Sequence, residues 1–188
     1  MFYYWGDWTW LILLPAIALS LISQARVSAA YNRYSRVATR GGRTASDVVA
    51  EMFAREGIEN VRIEPTRGRM TDHYDPKALA LRLSEGVYNS SSIAALGIAA
   101  HEAGHVLQHR DGFAPLMLRT AAVPFVNIGS NLYWPLFLFG LIFAWEPLVY
   151  AGIALFMLVV LFALVTLPVE FNASKRAMAA LESGGYLQ

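Results

Sequence analysis

Residues 101–105 (HEAGH) place two histidines four positions apart, with a glutamate between them. On a helix, positions i and i+4 lie on the same face, so both imidazoles can bind one metal ion. In this HExxH pattern the histidines bind Zn²⁺, and the glutamate accepts a proton from the water that attacks a peptide carbonyl. We therefore predict that His101 and His105 are zinc ligands and that Glu102 is the general base.

The alternative interpretation is that the two histidines cap or pack a buried helix without binding a metal. Small residues at Gly97, Ala100 and Gly104 are spaced to lie near the same helical face. We expect them to leave that face open for an ion, which favours the metal site over the packing role.

The composition indicates a membrane protein. Hydrophobic residues make up 56% of the 188 residues, and the mean hydropathy is +0.40, which is high for a soluble domain. Three stretches, 8–25, 120–145 and 147–169, contain no Asp, Glu, Lys or Arg, and each can supply the roughly 20 residues that a helix needs to cross a bilayer core. The segment that leads into the first stretch has no basic residue and carries Asp7 with Trp5, Trp8 and Trp10. We therefore expect a retained anchor; a cleaved signal peptide or an interfacial helix is the alternative.

The charges predict the orientation. All fifteen Lys and Arg lie within 26–119 or at 175–176, whereas the opposite side would carry only Asp7 and Glu146. The positive-inside rule therefore places 26–119 in the cytoplasm of a multi-pass protein of the plasma or inner membrane. The chain has no cysteine, which fits a reducing compartment and excludes a thiolate metal site.

Five arginines follow the first apolar stretch directly. They are Arg26, Arg33, Arg36, Arg40 and Arg43. We expect them to orient the anchor and to contact anionic lipid of the bilayer, and we expect no nucleic-acid binding.

These patterns predict an α-helical membrane protein with about three transmembrane helices and a small α+β domain. The expected divisions are an anchor at 1–25, a cytoplasmic domain at 26–119, a transmembrane hairpin at 120–169 and a cytoplasmic helix at 170–188. Three crossings return the tail to the side of the HExxH helix, where it can supply a further metal ligand.

Four elements are expected within the small domain. They are a capped helix from Thr44 to Gly57, a strand over 60–64 that Pro65 stops, a strand over 78–83, and a helix that starts at Ser90, Ser91 or Ser92 and stops near 111–112. The stretch 71–76 is expected to form a turn, and Leu79, Leu81 and Leu83 to share one strand face. An extended substrate could pair with the 78–84 strand.

A catalytic zinc keeps three protein ligands and one open position, so a third ligand is required. Asp111 stands ten positions after His101, but Gln108 occupies the position where that ligand pattern needs a helix-breaking glycine. His109 is turned about 80° away from His101 around the helix and is expected to bind solvent or a neighbouring side chain.

Glu170 is the remaining candidate for the third ligand. It follows the third apolar stretch directly, where a carboxylate is costly unless it has a partner. The alternative is an interfacial Glu170 paired with Lys175 or Arg176.

The stretch HEAGHVLQH, followed by a hydrophobic hairpin and LPVEFNASKRA, resembles the YugP-type membrane zinc metallopeptidases, relatives of the HtpX-like gluzincins. TDHYDP, LRLSEGVY, IAALGIAAHEAGH and GFAPLMLR match as well, so the resemblance covers nearly all of 26–182. It implies a zincin-like (minigluzincin) domain and a neutral zinc endopeptidase with one Zn²⁺ per chain. It also implies His101, His105 and Glu170 as ligands and Glu102 as general base.

Residues 170–174 resemble the gluzincin ExxAD motif, whose last carboxylate orients a zinc-bound histidine. Here Ser174 stands where the broader group has Asp, and Asn172 stands where Asp is expected in this family. Because both departures replace a carboxylate, it is open which side chains hydrogen-bond to the histidines and orient them. The family usually continues past a Gly-Gly pair such as 184–185 into another hydrophobic segment, so we expect the sequence to be truncated at Gln188.

The transition state of peptide hydrolysis needs a further hydrogen-bond donor for the oxyanion. His73, Tyr74 and Tyr88 are the candidates, each with a structural role as the alternative. The expected function is a membrane-embedded zinc endopeptidase acting on peptides or on membrane or misfolded proteins. Two alternatives remain, a zinc-binding scaffold without turnover and a small transporter or channel subunit. The transporter would be lined by Asn127, Ser130 and Asn131.

Overall fold

The computed structural model describes residues 11–186, apart from the side chain of Arg40. The helices are α1 (Leu13–Tyr34), α2 (Ala45–Arg55), α3 (Glu85–Tyr88), α4 (Ile93–Arg110), α5 (Ala114–Ile142) and α6 (Glu146–Ser183), and the strands are β1 (Arg62–Thr66), β2 (His73–Asp75) and β3 (Ala80–Ser84). The expected start of the anchor, with Asp7 and the tryptophans at positions 5, 8 and 10, lies outside the described residues.

Three helices, α1, α5 and α6, are long and apolar enough to span a membrane by length and composition, which confirms the predicted mostly helical fold with about three candidate transmembrane helices. Helix α6 has 38 residues and is therefore about 57 Å long, well beyond a bilayer core of about 30 Å. The expected division at position 170 does not coincide with a break, because α6 runs without interruption from Glu146 through Glu170 to Ser183. Helix α1 likewise continues past residue 25 to Tyr34.

Helices α5 and α6 form a closely packed hairpin. A Cβ added at Gly152 would lie 2.8 Å from the backbone nitrogen of Phe137, and one added at Gly140 would lie 2.6 Å from the backbone nitrogen of Val149. These glycines let the two backbones approach each other, as small residues do between membrane helices. The hairpin returns the chain to the HExxH helix.

The predicted helix caps are present. The Thr44 side chain accepts a hydrogen bond from the backbone of Asp47, whose carboxylate accepts one from the Thr44 backbone, and this capping box starts α2. The side chain of Ser92 accepts a hydrogen bond from the backbone N–H of Ala95 and starts α4. Buried residues of α2, β3, α4 and the end of α6 share one hydrophobic core, which fixes α4 from several sides.

The sheet corrects two of the predicted elements. Its strand order is β1-β3-β2, with β1 parallel and β2 antiparallel to β3. Strand β1 is not stopped at Pro65 but includes it, which is tolerated because β1 is an edge strand and can lack one backbone donor. The 71–76 stretch, expected as a turn, contains strand β2, too short to show a sequence period.

The third correction concerns β3. Leu79 has φ 49° and lies outside β3, so it does not share the buried face of Leu81 and Leu83, which are both fully buried. Strand β3 is central, and both of its edges are paired. The prediction that substrate pairs with this strand is therefore wrong, and β2 is the edge strand next to the cleft described below.

Candidate metal centre

His101 and His105 lie one turn apart on α4, as the i,i+4 spacing predicts. Their ring centroids are 5.0 Å apart and the rings are nearly perpendicular, at 83°. His105 is buried, with 6% of its surface exposed, and burial is the main cause that lowers the pKa of its imidazole. A lowered pKa keeps the ring neutral at neutral pH, which is the form that binds a metal ion.

Helix α6 brings Glu170 to the same point. Its Oε2 lies 3.0 Å from Nε2 of His101 and 3.5 Å from Nε2 of His105. One ligand atom from each of the three residues lies within 4.8 Å of the others. Two imidazole nitrogens and one carboxylate oxygen form a donor set that suits a catalytic zinc with an open position, so the residues fit the metal that the HExxH pattern implies.

The other candidates for the third ligand lie elsewhere. Asp111 forms ion pairs with Arg110 and Arg176. Nδ1 of His109 lies 2.6 Å from the hydroxyl of Tyr74. Among the described residues neither belongs to the His-His-Glu cluster. The alternative role of Glu170 was an ion pair with Lys175 or Arg176. Among the described residues, Glu170 forms neither pair and has a different basic partner.

That basic partner is Arg119, at the start of α5. Its Nη1 lies 3.2 Å from Oε1 of Glu170. No sequence pattern singled out Arg119, because the contact depends on how α5 and α6 pack. The pair leaves Oε2 of Glu170 facing the histidines, so the two carboxylate oxygens have different neighbours.

The glycines of α4 were predicted to leave space for a metal ion, but the structure gives Gly104 another role. A Cβ at Gly104 would lie 2.4 Å from the carbonyl oxygen of Ala173 on α6, whereas Gly97 has open space around it. Gly104 therefore does not keep a face open for an ion. It allows the backbone of α6 to approach α4 closely enough for Glu170 to reach the histidines.

Each histidine has a hydrogen-bond partner on the ring nitrogen that faces away from Glu170. Nδ1 of His101 lies 3.1 Å from Oγ of Ser174, and Nδ1 of His105 lies 2.9 Å from Oε1 of Gln108. When each Nδ1–H donates to such an oxygen, each Nε2 keeps its lone pair for a metal. Ser174 thus occupies the orienting place that the motif gives to a carboxylate.

Gln108 connects both ligand helices and was missed as a candidate site residue. It is fully buried, and its Nε2 donates to the carbonyl oxygen of Val169 at 2.8 Å and to Oδ1 of Asn172 at 3.0 Å. Asn172 therefore contacts His105 through Gln108 and not directly. The only sequence signal was a polar residue three positions after His105, on a face otherwise rich in small and apolar residues.

Glu102 points into a cleft of about 520 Å³ that also contains the three candidate ligands. The protein groups around Glu102 raise its pKa to about 7, chiefly through burial and then through the nearby charges of Glu170 and Asp72. A carboxyl group with a pKa near neutrality can both accept and return a proton at the pH of the cell.

The cleft lies between two different walls. One wall consists of the candidate ligands on α4 and α6. The other is formed by residues 72–77, which include β2, and by α5 from Leu116 to Asn127. The cleft therefore extends from the strand edge of the small domain to the side of an apolar helix.

Two of the three predicted oxyanion donors line the cleft. Nδ1 of His73 lies 2.7 Å from the carbonyl oxygen of Thr71, and its Nε2 lies 3.4 Å from Nη1 of Arg82. The Tyr74 hydroxyl is engaged by His109, and burial raises its pKa to about 12, so it stays protonated. Tyr88 is not a cleft residue: it packs against the hydrophobic core.

The polar residues that a transporter would require make hydrogen bonds within α5. Ser130 Oγ and Asn131 Nδ2 both donate to the backbone carbonyl of Asn127 within α5. Of these three residues, only Asn127 lines the cleft.

Two histidines of α4 and a glutamate of α6, with Glu102 beside them, form a cluster typical of HExxH metalloproteins. The same chain has three helices that are long and apolar enough to span a membrane. The comparisons with known proteins agree with that class. A family described as "Putative neutral zinc metallopeptidase" matches residues 9–188, and the chain belongs to this family.

The chain is also similar to a curated protein called "Putative membrane protease YugP" from Bacillus subtilis (strain 168). The two are 41% identical over 177 residues, which cover 94% of this chain and 79% of the relative. No solved structure matches the chain.

Proposed function

We propose that this protein is a membrane-embedded zinc endopeptidase that uses Glu102 as its general base. The observation that carries the proposal is the meeting of His101, His105 and Glu170 beside Glu102 in one cleft. His101, His105 and Glu170 would hold one Zn²⁺ per chain. When bound, the metal supplies Lewis acidity toward a peptide carbonyl and lowers the pKa of water.

The chain's own groups supply the proton transfers. Glu102 would accept a proton from the attacking water and return it to the nitrogen of the leaving amine, so that one carboxyl group serves both halves of the reaction. The position of Glu102 in the same cleft as the three candidate ligands supports this role. Since β2 is an edge strand of the described sheet and lies beside the cleft, an extended substrate would bind there by strand addition.

The cleft wall on α5 supports substrates that reach the site next to the bilayer. Val123, Pro124 and Asn127 line the cleft, and all three belong to the uncharged stretch that begins at position 120. We propose peptides and membrane or misfolded proteins as the substrate class, with the segment beside the scissile bond lying near the membrane surface.

The test compares wild-type protein with Glu102→Gln after purification in detergent. Elemental analysis should give about one zinc per chain for both proteins, because Glu102 is not one of the three ligands. Only the wild type should cleave denatured casein or a panel of internally quenched peptides, and a chelator should abolish that cleavage. A zinc-loaded Glu102→Gln that cleaves at the wild-type rate would overturn the role of Glu102.

The same experiment separates the enzyme from a zinc-binding scaffold. A wild type that binds zinc and cleaves nothing in the panel would favour the scaffold. Asn172 and Ser174 stand where related motifs have carboxylates, which raised the question of what orients the histidines. The Nδ1 atoms of the two histidines contact Ser174 and Gln108, which can orient the rings and so support the enzyme.

We also propose that the small domain faces the cytoplasm. Single-cysteine variants can report this, since the chain has no cysteine. Ala50 is exposed on α2, and Glu146 is exposed at the start of α6. In intact cells an impermeant thiol reagent should label Glu146→Cys and not Ala50→Cys, whereas permeabilised cells should show both. The reverse pattern in intact cells would invert the orientation.

A further inference from the structure

The two oxygens of Glu170 have different partners. Oε2 faces the Nε2 atoms of His101 and His105, whereas Oε1 contacts Nη1 of Arg119. A carboxylate held in this way offers one oxygen to a metal and cannot rotate freely to offer the other.

Arg119 has donors left over after this contact. A guanidinium group carries five N–H donors, and the pair with Glu170 is its only polar side-chain contact among the described residues. The side chain is 31% exposed, and it lines the cleft together with Glu102.

The other donors considered for a substrate carbonyl are already engaged or distant. His73 contacts Thr71 through Nδ1, the Tyr74 hydroxyl is bonded to His109, and Tyr88 packs in the core. Among the described cleft residues, Arg119 is therefore the cationic donor that lies against the metal centre itself.

We propose that Arg119 holds Glu170 as a one-oxygen metal ligand and donates a second hydrogen bond to the carbonyl oxygen of the substrate at the scissile bond. The first part makes Arg119 a positioning residue, and the second makes it a catalytic one. The proposal rests on the proposed zinc-peptidase function. The alternative is a purely topological role. Arg119 is the last basic residue before the uncharged stretch, and in that case it would serve only to orient α5.

Two substitutions separate these roles. Arg119→Lys keeps a positive charge that can pair with Glu170 and can orient the helix, but it lacks the fork that serves two acceptors at once. Arg119→Gln removes the charge. Arg110→Gln is the matched control, because Arg110 forms comparable ion pairs with Glu56 and Asp111 outside the cleft.

The first readout is zinc affinity, measured on the purified full chain by competition with a chromophoric chelator. Arg119→Gln should bind zinc about 10-fold more weakly, the loss typical when a partner of a metal ligand is removed. Arg119→Lys and Arg110→Gln should stay within about threefold of the wild type. A wild-type affinity for Arg119→Gln would overturn the positioning role.

The second readout is turnover at saturating zinc, with the quenched peptide that the wild type cleaves best. Both Arg119 variants should lose about 100-fold in kcat with a KM within about threefold, since a donor to the developing oxyanion acts mainly in the transition state. A wild-type kcat for Arg119→Lys would overturn the catalytic role, because a positive charge alone would then suffice.

Failure of the proposed function gives a different result. A wild type that binds zinc but cleaves no peptide would contradict the peptidase and the catalytic role of Arg119 together. The chelator competition would still decide whether Arg119 positions Glu170.

Discussion

The two walls of the cleft differ in how firmly they are held. On the wall formed by α4 and α6, His105 has 6% of its surface exposed. Its side chain is held by Gln108, which is fully buried outside the cleft lining and is hydrogen-bonded to Val169 and Asn172 of α6. On the opposite wall, His73, Pro124 and Asn127 are exposed.

This difference separates two kinds of binding. A metal ion needs ligands that are held in place before it arrives, and buried hydrogen bonds across two helices provide that. A peptide with a variable sequence needs backbone edges and adaptable side chains, which an exposed strand and helix face can offer. Substitutions on the first wall should therefore change zinc binding. Substitutions on the second wall should change only the binding and turnover of substrate, except at Arg119, which contacts Glu170 across the cleft.

The largest effect should come from replacing Glu170, the candidate ligand on α6. Glu170→Ala removes a candidate ligand, so we expect weakened zinc retention and a loss of cleavage of more than about 10³-fold, because metal Lewis acidity contributes several kcal/mol. Asp111→Ala should leave both near the wild type, since Asp111 pairs with Arg110 and Arg176 away from the centre. Dialysis against a weak chelator, followed by elemental analysis, decides between them. Full zinc in Glu170→Ala with loss from Asp111→Ala would reverse the assignment.

The next effect tests the contact between α4 and α6, the two helices that carry the candidate ligands. Gly104→Ala places a Cβ 2.4 Å from the carbonyl oxygen of Ala173, so α6 must shift, and a shift of about 1 Å at Glu170 can cost about 100-fold in activity. Gly97→Ala is the control on the same helix, with no atom within 4 Å of its added Cβ. It should keep full activity and raise stability slightly through its better helix propensity. Equal activities for the two variants would show that the close approach of α4 and α6 does not position Glu170.

Local sequence signals predicted the helices and the histidine pair on α4 better than the cleft wall formed by β2 and α5. The i,i+4 histidines, the capping box at Thr44 and the cap at Ser92 depend on neighbours within four residues, and the structure has them. The three apolar helices follow from length and composition alone. These features could be predicted because their signals lie within a few neighbouring residues or in the composition of one segment.

The features that the sequence did not predict depend on distant packing. Gln108 contacts Val169 across 61 positions, and Arg119 contacts Glu170 across the entire membrane hairpin. Strand β2 has only three residues, and β1 tolerates Pro65 only because it lies at a sheet edge. Such contacts leave no periodic pattern in the sequence.

A smaller effect should distinguish the two partners of the histidines. Gln108→Ala removes a buried partner and leaves Nδ1 of His105 without an acceptor, so zinc affinity should fall about 10-fold to 100-fold. Ser174→Ala removes an exposed partner of His101, and water can replace its hydroxyl group, so the loss should stay below about threefold. Chelator competition measures both, and a larger loss in Ser174→Ala would contradict the importance of burial.

The smallest effect is expected on the opposite wall, where Asn127 lines the cleft from within an uncharged helix. A polar amide at that depth is costly without a partner, and its side chain has no hydrogen bond to the described residues, so a substrate backbone is the partner we expect. Asn127→Leu should therefore lower kcat/KM about 3-fold to 10-fold, the value of roughly one hydrogen bond, with zinc content unchanged. Asn131→Leu is the control, because Asn131 lies one turn further along α5, outside the cleft, and donates to the carbonyl of Asn127. If both variants lose activity equally, the effect belongs to the helix and not to the cleft; if Asn127→Leu also loses zinc, the two walls are not independent.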